Sequence, residues 1–234
     1  MQKLIVVTGG TKGIGRAVLE KFAAQGFDVA TCSRKQNELD QLKADIEKKY
    51  GVKALVKTAD MAVKEEVNAF TDYINQSGRS VDVLVNNAGY FVSGQVMDEP
   101  VGTLESMMNS NVFSAYYTTR GLIGGMKKNR SGHIFNMCSI ASIKAYPNGG
   151  SYAITKFALL GFSKVLREEL KEFNLRVTAI MPGATLTASW EGVDLPEERF
   201  MKAEDVADAV YGAYALSGRS VVEEMIIRPQ LGDI

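Results

Sequence analysis

Leu4-Ile5-Val6-Val7-Thr8-Gly9-Gly10-Thr11-Lys12-Gly13-Ile14-Gly15 decides the architecture of this chain. Leu4 to Val7 are apolar without interruption, the mark of a strand covered on both faces. Glycines 9, 13 and 15 follow at once, and a helix starts near Gly13. Glycine lets the backbone turn tightly and approach a ligand without Cβ obstruction, while the helix start directs free N–H groups and its positive dipole end at the turn. Strand, glycine turn and helix in that order make a seat for a pyrophosphate. The spacing is G-x-x-x-G-x-G, and no Gly-Lys-Ser/Thr closes the loop, which disfavours a nucleoside-triphosphatase.

Outward from this unit the pattern repeats. Short runs read as strands at Leu4–Thr8, Asp28–Cys32, Ala54–Thr58, Val81–Val85, His133–Met137, Arg176–Met181 and Val221–Ile227. Helical spacing lies between them, as in Leu39, Leu42, Ile46 and Tyr50, or Val63, Val67, Phe70 and Ile74. This alternation predicts an α/β doubly wound Rossmann fold: a seven-stranded parallel sheet flanked by helices on both faces. No linker, repeat or low-complexity stretch divides the 234 residues, so one domain spans 1–234.

Composition narrows the function. With 46% hydrophobic and 23% charged residues the chain is an ordinary globular one, and 27 basic residues balance 27 acidic ones. No global field recruits nucleic acid or an acidic membrane. The apolar run near the start is too short for a signal peptide or a membrane span, which predicts a soluble, cytoplasmic protein. Cys32 and Cys138 have neither disulfide-scaffold nor zinc spacing and read as buried packing residues. A single histidine, His133, argues against a His-based metal site or a Ser-His-Asp hydrolase, and no metal is expected.

The end of the second strand bears on a nicotinamide cofactor. An NAD site places a carboxylate there for the ribose 2′-hydroxyl, but the stretch reads Ala30-Thr31-Cys32-Ser33-Arg34. Asp28 stands at the wrong end of that strand. Arg34 can fork onto a 2′-phosphate, with Ser33 and Lys12 adding a hydrogen bond and a charge, so NADP(H) is the expected cofactor. A solvated residue opening the next helix is the other reading of Arg34.

Tyr152 and Lys156 stand one helical turn apart, with Ser151 as N-cap. Alone the pair says little. Ser139 lies thirteen residues earlier, just past a strand, and Asn86-Asn87-Ala88-Gly89 ends another strand at the same sheet edge. Together with Thr8-Gly9-x-x-x-Gly13-Ile14-Gly15 and Pro182-Gly183 through Thr187, these motifs identify a resemblance to the short-chain dehydrogenases/reductases. It covers positions 8 to 187 in the family's order and spacing.

The resemblance implies hydride transfer between a nicotinamide and a carbonyl carbon. Tyr152 would be general acid in reduction and general base in oxidation; Lys156, together with the positive charge of the oxidised nicotinamide, would pull its pKa below the ordinary value of about 10, and Lys156 would hold the nicotinamide ribose. Ser139 would donate to the substrate oxygen, and Asn111 would support Lys156 through a water relay. For the cofactor, Gly9, Thr11, Lys12, Gly13, Ile14 and Gly15 would cradle the phosphates, and Ser33 and Arg34 the 2′-phosphate. Asp60 would accept from the adenine amino group beside Met61, and Asn87, Ala88 and Gly89 would line the adenosine side. Pro182, Gly183 and Thr187 would contact the carboxamide. Taken singly, Ser139 reads as a turn residue, Asn111 as a helix-surface amide and Asp60 as a loop carboxylate or helix cap.

Substrate choice falls to a lid over about 185–201. Trp190, Leu186, Val193, Leu195 and Phe200 would form one apolar wall, with carboxylates at Glu191 and Asp194. Tyr90, Phe91, Ile140, Tyr146 and Tyr152 would form the other. Flat aromatic walls with acceptors suit a planar heterocyclic ketone, and the stretch from Val221 to Pro229, ending Gly232-Asp233-Ile234, is similar to that of bacterial sepiapterin reductases. Sepiapterin or a related dicarbonyl is preferred; a 3-oxoacyl-(acyl-carrier-protein) reductase and a non-catalytic NADP-binding sensor are the alternatives. With about forty-five residues after Thr187, the substrate domain of a nucleotide-sugar epimerase is not expected. Helices around Glu105–Lys127 and Tyr152–Phe173 are apolar over broad arcs, so a homodimer or homotetramer is expected.

Overall fold

The computed structural model describes residues 2–190, 192 and 194–234, residue 189 by its backbone. Seven parallel strands form one sheet: β1 (Leu4–Thr8), β2 (Asp28–Ser33), β3 (Ala54–Thr58), β4 (Val83–Asn86), β5 (Gly132–Met137), β6 (Leu175–Pro182) and β7 (Glu224–Ile227). Their order is β3-β2-β1-β4-β5-β6-β7, so the chain winds outward in both directions from the β1–β4 pair. That pair is in register at Ile5↔Val83 and Val7↔Val85. A crevice opens at the carboxyl ends of two strands whose connections leave in opposite directions, and this is where a doubly wound sheet binds ligands.

Alternate side chains of each strand go to opposite faces, and each face has its own core. Ile5, Val7, Val29, Val83, Val85 and Phe135 meet Val18, Leu19 and Phe22 of α1 (Gly13–Ala24), Leu42 and Ile46 of α2 (Gln36–Tyr50), and Val206 and Val210 of α7 (Ala203–Ala215). Leu4, Val6, Leu84, Ile134 and Val177 meet Val67, Phe70 and Ile74 of α3 (Lys64–Gln76), Leu122 and Met126 of α5 (Ser114–Asn129), and Leu166 and Leu170 of α6 (Gly150–Leu170). The uninterrupted apolar runs of β1 and β4 follow from this double covering.

Pattern and structure differ in detail. Val81–Asp82 precede β4, and Val221–Glu223 precede β7. The expected long helix before β5 is three pieces: α4 (Thr103–Met108), a π turn over Asn109–Phe113, and α5. Apolar periodicity runs through such a turn without registering its one-residue slip.

A buried polar chain fixes α6 to the sheet. Asn86 donates to Thr119 (3.0 Å) and across the β4–β5 pair to Asn136 (2.8 Å), and Asn136 donates to Ser163 of α6 (2.8 Å). Ser163 in turn donates to the Leu159 carbonyl (2.8 Å). Buried amides are costly unless partnered, so this chain sets the position of the helix as well as holding it.

Candidate active site

The turn after β1 is held by its neighbours rather than by itself. Thr31 of β2 donates to the Val7 carbonyl (2.7 Å) and accepts from the Gly10 N–H (2.9 Å). The Thr8 hydroxyl accepts from the N–H groups of Asn87 and Ala88 (3.0 Å each), and the Asn87 amide donates to the carbonyls of Thr8 (2.9 Å) and Gly9 (3.1 Å). Gly9 has φ +67°, and a Cβ on Gly15 would stand 2.5 Å from the Gly9 carbonyl oxygen. Both positions therefore need glycine. No side chain caps the start of α1, and its first turn holds no acidic residue. Its orphan N–H groups are free for an anion.

From this turn a cleft of about 870 Å³ runs along the sheet edge to α6. Gly9, Lys12, Gly13, Ile14, Gly15, Asn87, Gly89, Ser139, Tyr152, Lys156, Pro182, Gly183 and Thr187 all line it. Thr11, Ser33, Arg34, Asp60, Met61, Ala88 and Asn111 do not. Arg34 is exposed beyond the cleft, without an ion pair among the described residues. The Asp60 carboxylate accepts from the N–H of Ala62 (2.9 Å), while its own N–H donates to Glu66 (2.7 Å). The Met61 side chain is buried, its sulfur 3.2 Å from that of Cys32.

Tyr152 and Lys156 face the same side of α6. The Lys156 ammonium is buried, donates to the Met137 carbonyl at the end of β5 (2.7 Å), and lies 5.5 Å from the centre of the Tyr152 ring. Burial pushes Lys156 down to about 8. Burial also pushes the Tyr152 phenol up, against a hydrogen bond with Ser139 that works downward. Loss of hydration around the phenolate outweighs that hydrogen bond. Ser139 caps a short 3₁₀ turn (Ile140–Ser142), accepting from the Ala141 N–H (3.2 Å).

Ser151 is not the N-cap of α6. Gly149 holds that place, and Ser151 lies inside the helix with its N–H donating to Glu99 (2.9 Å) and its hydroxyl bonded to the same carboxylate. A charged acceptor from the loop after β4 satisfies the helix start better than a local hydroxyl. Asn111, in the π turn, points behind the cleft. Its amide accepts from the Tyr90 N–H (2.9 Å) and donates to the Tyr90 carbonyl (3.0 Å) and to Thr155 (3.1 Å). Asn111 and Glu99 together clasp the loop between β4 and α4 against α6.

That loop brings Tyr90 and Phe91 to the cleft, Phe91 edge-on to Tyr152 with ring centres 5.0 Å apart. Ile140 and Tyr146 complete this wall, and burial and the nearby Tyr152 push Tyr146 up to about 12. The lid departs from expectation. Trp190 lines the cleft and meets Phe200 edge-on at 5.1 Å, but Leu186 turns into a separate groove beside α1 and α7. Leu195 and Asp194 are exposed and line no part of the cleft, while Glu191 and Val193 lie outside the described residues. The ends of the lid are tied by Leu186 N–H to the Met201 carbonyl (2.9 Å) and Met201 N–H to the Ala184 carbonyl (3.0 Å), which directs alternate side chains away from the site. Ser93, Lys144 and Asn148 line the cleft without having been singled out from sequence, and Asp233 and Ile234, which sequence marked only by resemblance, line it too. They sit on loops with no periodic signal.

His133 is the second residue of β5, at the sheet edge opposite the cleft. Its Nε2 is 2.7 Å from the Thr178 hydroxyl, and burial pushes its pKa down to about 2, so it stays neutral. Cys32 and Cys138 are free thiols and buried. Among the described residues no group of His, Cys, Asp and Glu could hold a metal ion, and no helix is long and apolar enough to cross a membrane.

The short chain dehydrogenase family model matches residues 3–198. A sepiapterin reductase of Chlorobaculum tepidum is 33% identical over 242 aligned positions, covering all of this chain and 99% of the relative. The L-sorbose reductase of Gluconobacter frateurii, solved with NADPH and L-sorbose, superposes with a TM-score of 0.91 at 28% identity over 97% of this chain and 95% of that one. An alcohol dehydrogenase from Thermococcus sibiricus, complexed with 5-hydroxy-NADP, shares the fold with a TM-score of 0.92 at 24% identity, over 98% and 97% of the two chains. This chain belongs to the short chain dehydrogenase family.

Proposed function

We propose that this protein is an NADPH-dependent carbonyl reductase that converts a ketone to an alcohol. One observation carries the reading: a single cleft joins an uncapped helix start and glycine turn at one end to Ser139, Tyr152 and Lys156 at the other. The first is chemistry for a pyrophosphate and the second for a carbonyl in reduction. The residues fit NADP(H). Gly9, Gly13, Ile14 and Gly15 would hold the phosphates, Lys12 with Arg34 the 2′-phosphate, Lys156 the nicotinamide ribose, and Pro182, Gly183 and Thr187 the carboxamide. When bound, the reduced dinucleotide supplies the hydride.

The chain's own residues do the rest. Ser139 donates a hydrogen bond to the carbonyl oxygen and stabilises the negative charge that grows there. Tyr152, kept protonated by its burial, gives its proton to that oxygen. Lys156, cationic below about 8, offsets the charge left on the phenolate oxygen. Phe91 and Trp190 exclude water from the two sides of the transfer. The Asn111 amide, held by Tyr90 and Thr155, keeps the wall loop and α6 in fixed relation.

Sepiapterin or a related dicarbonyl fits the substrate end best. Tyr90, Phe91, Tyr146 and Trp190 present aromatic surface, and Asp233 presents an acceptor for ring N–H donors. Identity to the Chlorobaculum enzyme supports the same choice. Consumption of NADPH with sepiapterin, diacetyl and an acetoacetyl thioester separates this from 3-oxoacyl reduction: turnover should be fastest with sepiapterin, and a preference for the thioester would reverse the assignment. A non-catalytic sensor would turn over none of them. NADPH should be preferred to NADH, and Arg34→Ala should reduce that preference by about tenfold or more.

The protein would act in the cytoplasm on this small molecule and assemble as a homodimer or homotetramer. Phe113, Tyr116, Phe157 and Val165 are exposed along the π turn, α5 and α6, forming an apolar face that a second copy would cover. Light scattering at micromolar concentration should show a multiple of the monomer mass.

A further inference from the structure

The sequence around the end of β2 offers no carboxylate, yet the fold supplies one. Glu38, in the first turn of α2, lies across the opening of the glycine turn. Its carboxylate is 3.0 Å from the Lys12 ammonium and 3.3 Å from that of Lys35, and it accepts from the Thr11 hydroxyl at 3.3 Å. Two of these partners belong to the turn itself. Arg34, by contrast, has no ion pair among the described residues.

We propose that Glu38 is a cofactor-specificity residue: a built-in counter-ion that competes with the 2′-phosphate of NADP(H) for Lys12 and so limits the preference over NAD(H). The inference rests on the assignment of NADP(H) above. An arriving 2′-phosphate finds Arg34 free but Lys12 engaged. If it binds Lys12 while Glu38 remains, the two anions share one ammonium and stand within about 6 Å, inside the Debye length of about 8 Å at physiological salt. Either the carboxylate gives up Lys12 or the phosphate bears the repulsion; both weaken NADPH. NADH carries a hydroxyl at that position and is indifferent to the charge. Lys12, foremost, and Lys35 hold the Glu38 carboxyl below the usual carboxylate range, so the counter-ion is charged throughout neutral pH. The side chain of Lys12 is mostly exposed, which keeps the effect modest and salt-dependent.

The test is dinucleotide binding by the full chain, followed by fluorescence titration or calorimetry rather than by activity. Glu38→Gln should tighten NADPH about fivefold and leave NADH within about twofold, with the gain shrinking at high salt. Glu38→Lys should act in the same direction and further. In a Lys12→Met background the gain from Glu38→Gln should fall below about twofold, since the competition runs through that ammonium. An unchanged NADPH-to-NADH ratio, an equal gain for both dinucleotides, or a full gain without Lys12 would each overturn the proposal. Weaker NADH binding in Glu38→Gln would also overturn it, by giving the carboxylate to the ribose hydroxyl. A wild-type chain that binds neither dinucleotide overturns the NADP(H) reading first and this inference with it.

Discussion

The two ends of the cleft are built on different principles. At the glycine turn, main-chain groups make the surface, and Thr8, Thr31 and Asn87 hold that main chain from β1, β2 and the end of β4. Around Tyr152 the surface is side chains, delivered by the loop after β4, the 3₁₀ turn after β5, α6 and the lid. A backbone surface tolerates almost no substitution but recognises only what its N–H groups meet. A surface of side chains on separate loops is replaceable piece by piece, and so can specify a substrate.

Substitutions should therefore divide along this line. Tyr152→Phe removes the proton donor, so turnover should fall by about 10³-fold or more while NADPH affinity stays within about twofold. Turnover that survives would move proton transfer to another group. Gly15→Ala drives a Cβ into the Gly9 carbonyl, and a displaced turn should weaken both NADPH and NADH about a hundredfold, read by titration. Unchanged affinity would mean the turn has room the geometry denies.

Glu99→Ala unties the wall loop from α6. Loss of a charged hydrogen-bond pair predicts about a tenfold drop in kcat/KM with dinucleotide affinity preserved, and equal loss of both would erase the distinction between the two ends. Trp190→Ala should raise KM about fivefold for a flat aromatic ketone and leave diacetyl nearly untouched. pH gives the last comparison. Lys156 is charged below about 8, so its support for the developing phenolate is complete at lower pH and fades as pH rises through that value. Reduction should decline on the alkaline side of about 8; a profile flat to pH 10 or so would remove Lys156 from that role.

The sequence was more legible at one end than at the other for the same reason. Glycine spacing, a preceding apolar run and a following helix are local, so the turn at Gly9–Gly15 shows its geometry in consecutive residues. Strand positions were legible because double covering forces unbroken apolar runs, as in Leu4–Val7. The π turn at Asn111 was not, because a one-residue slip leaves the amphipathic pattern almost intact. Nor was the cap of α6: Ser151 has the right residue type, but the acceptor that wins comes from Glu99, 52 positions away. In the lid, residue type marked Leu186 and Trp190 alike, and only the backbone path sends one to the cleft and the other to a groove beside α7.

What the amino-acid order determined alone is the alternating α/β architecture, the glycine turn, and the residues proposed for proton transfer. These depend on periodicity, on glycine, and on a four-residue helical spacing, all of them local. What the tertiary structure decided is who meets whom across the chain: Glu38 against Lys12, Glu99 against Ser151, Asn111 against Tyr90, and burial outweighing the hydrogen bond with Ser139 at Tyr152. Such pairings, and the loss of water around a phenol, arise only when distant segments pack, and no property of one residue or its immediate neighbours encodes them.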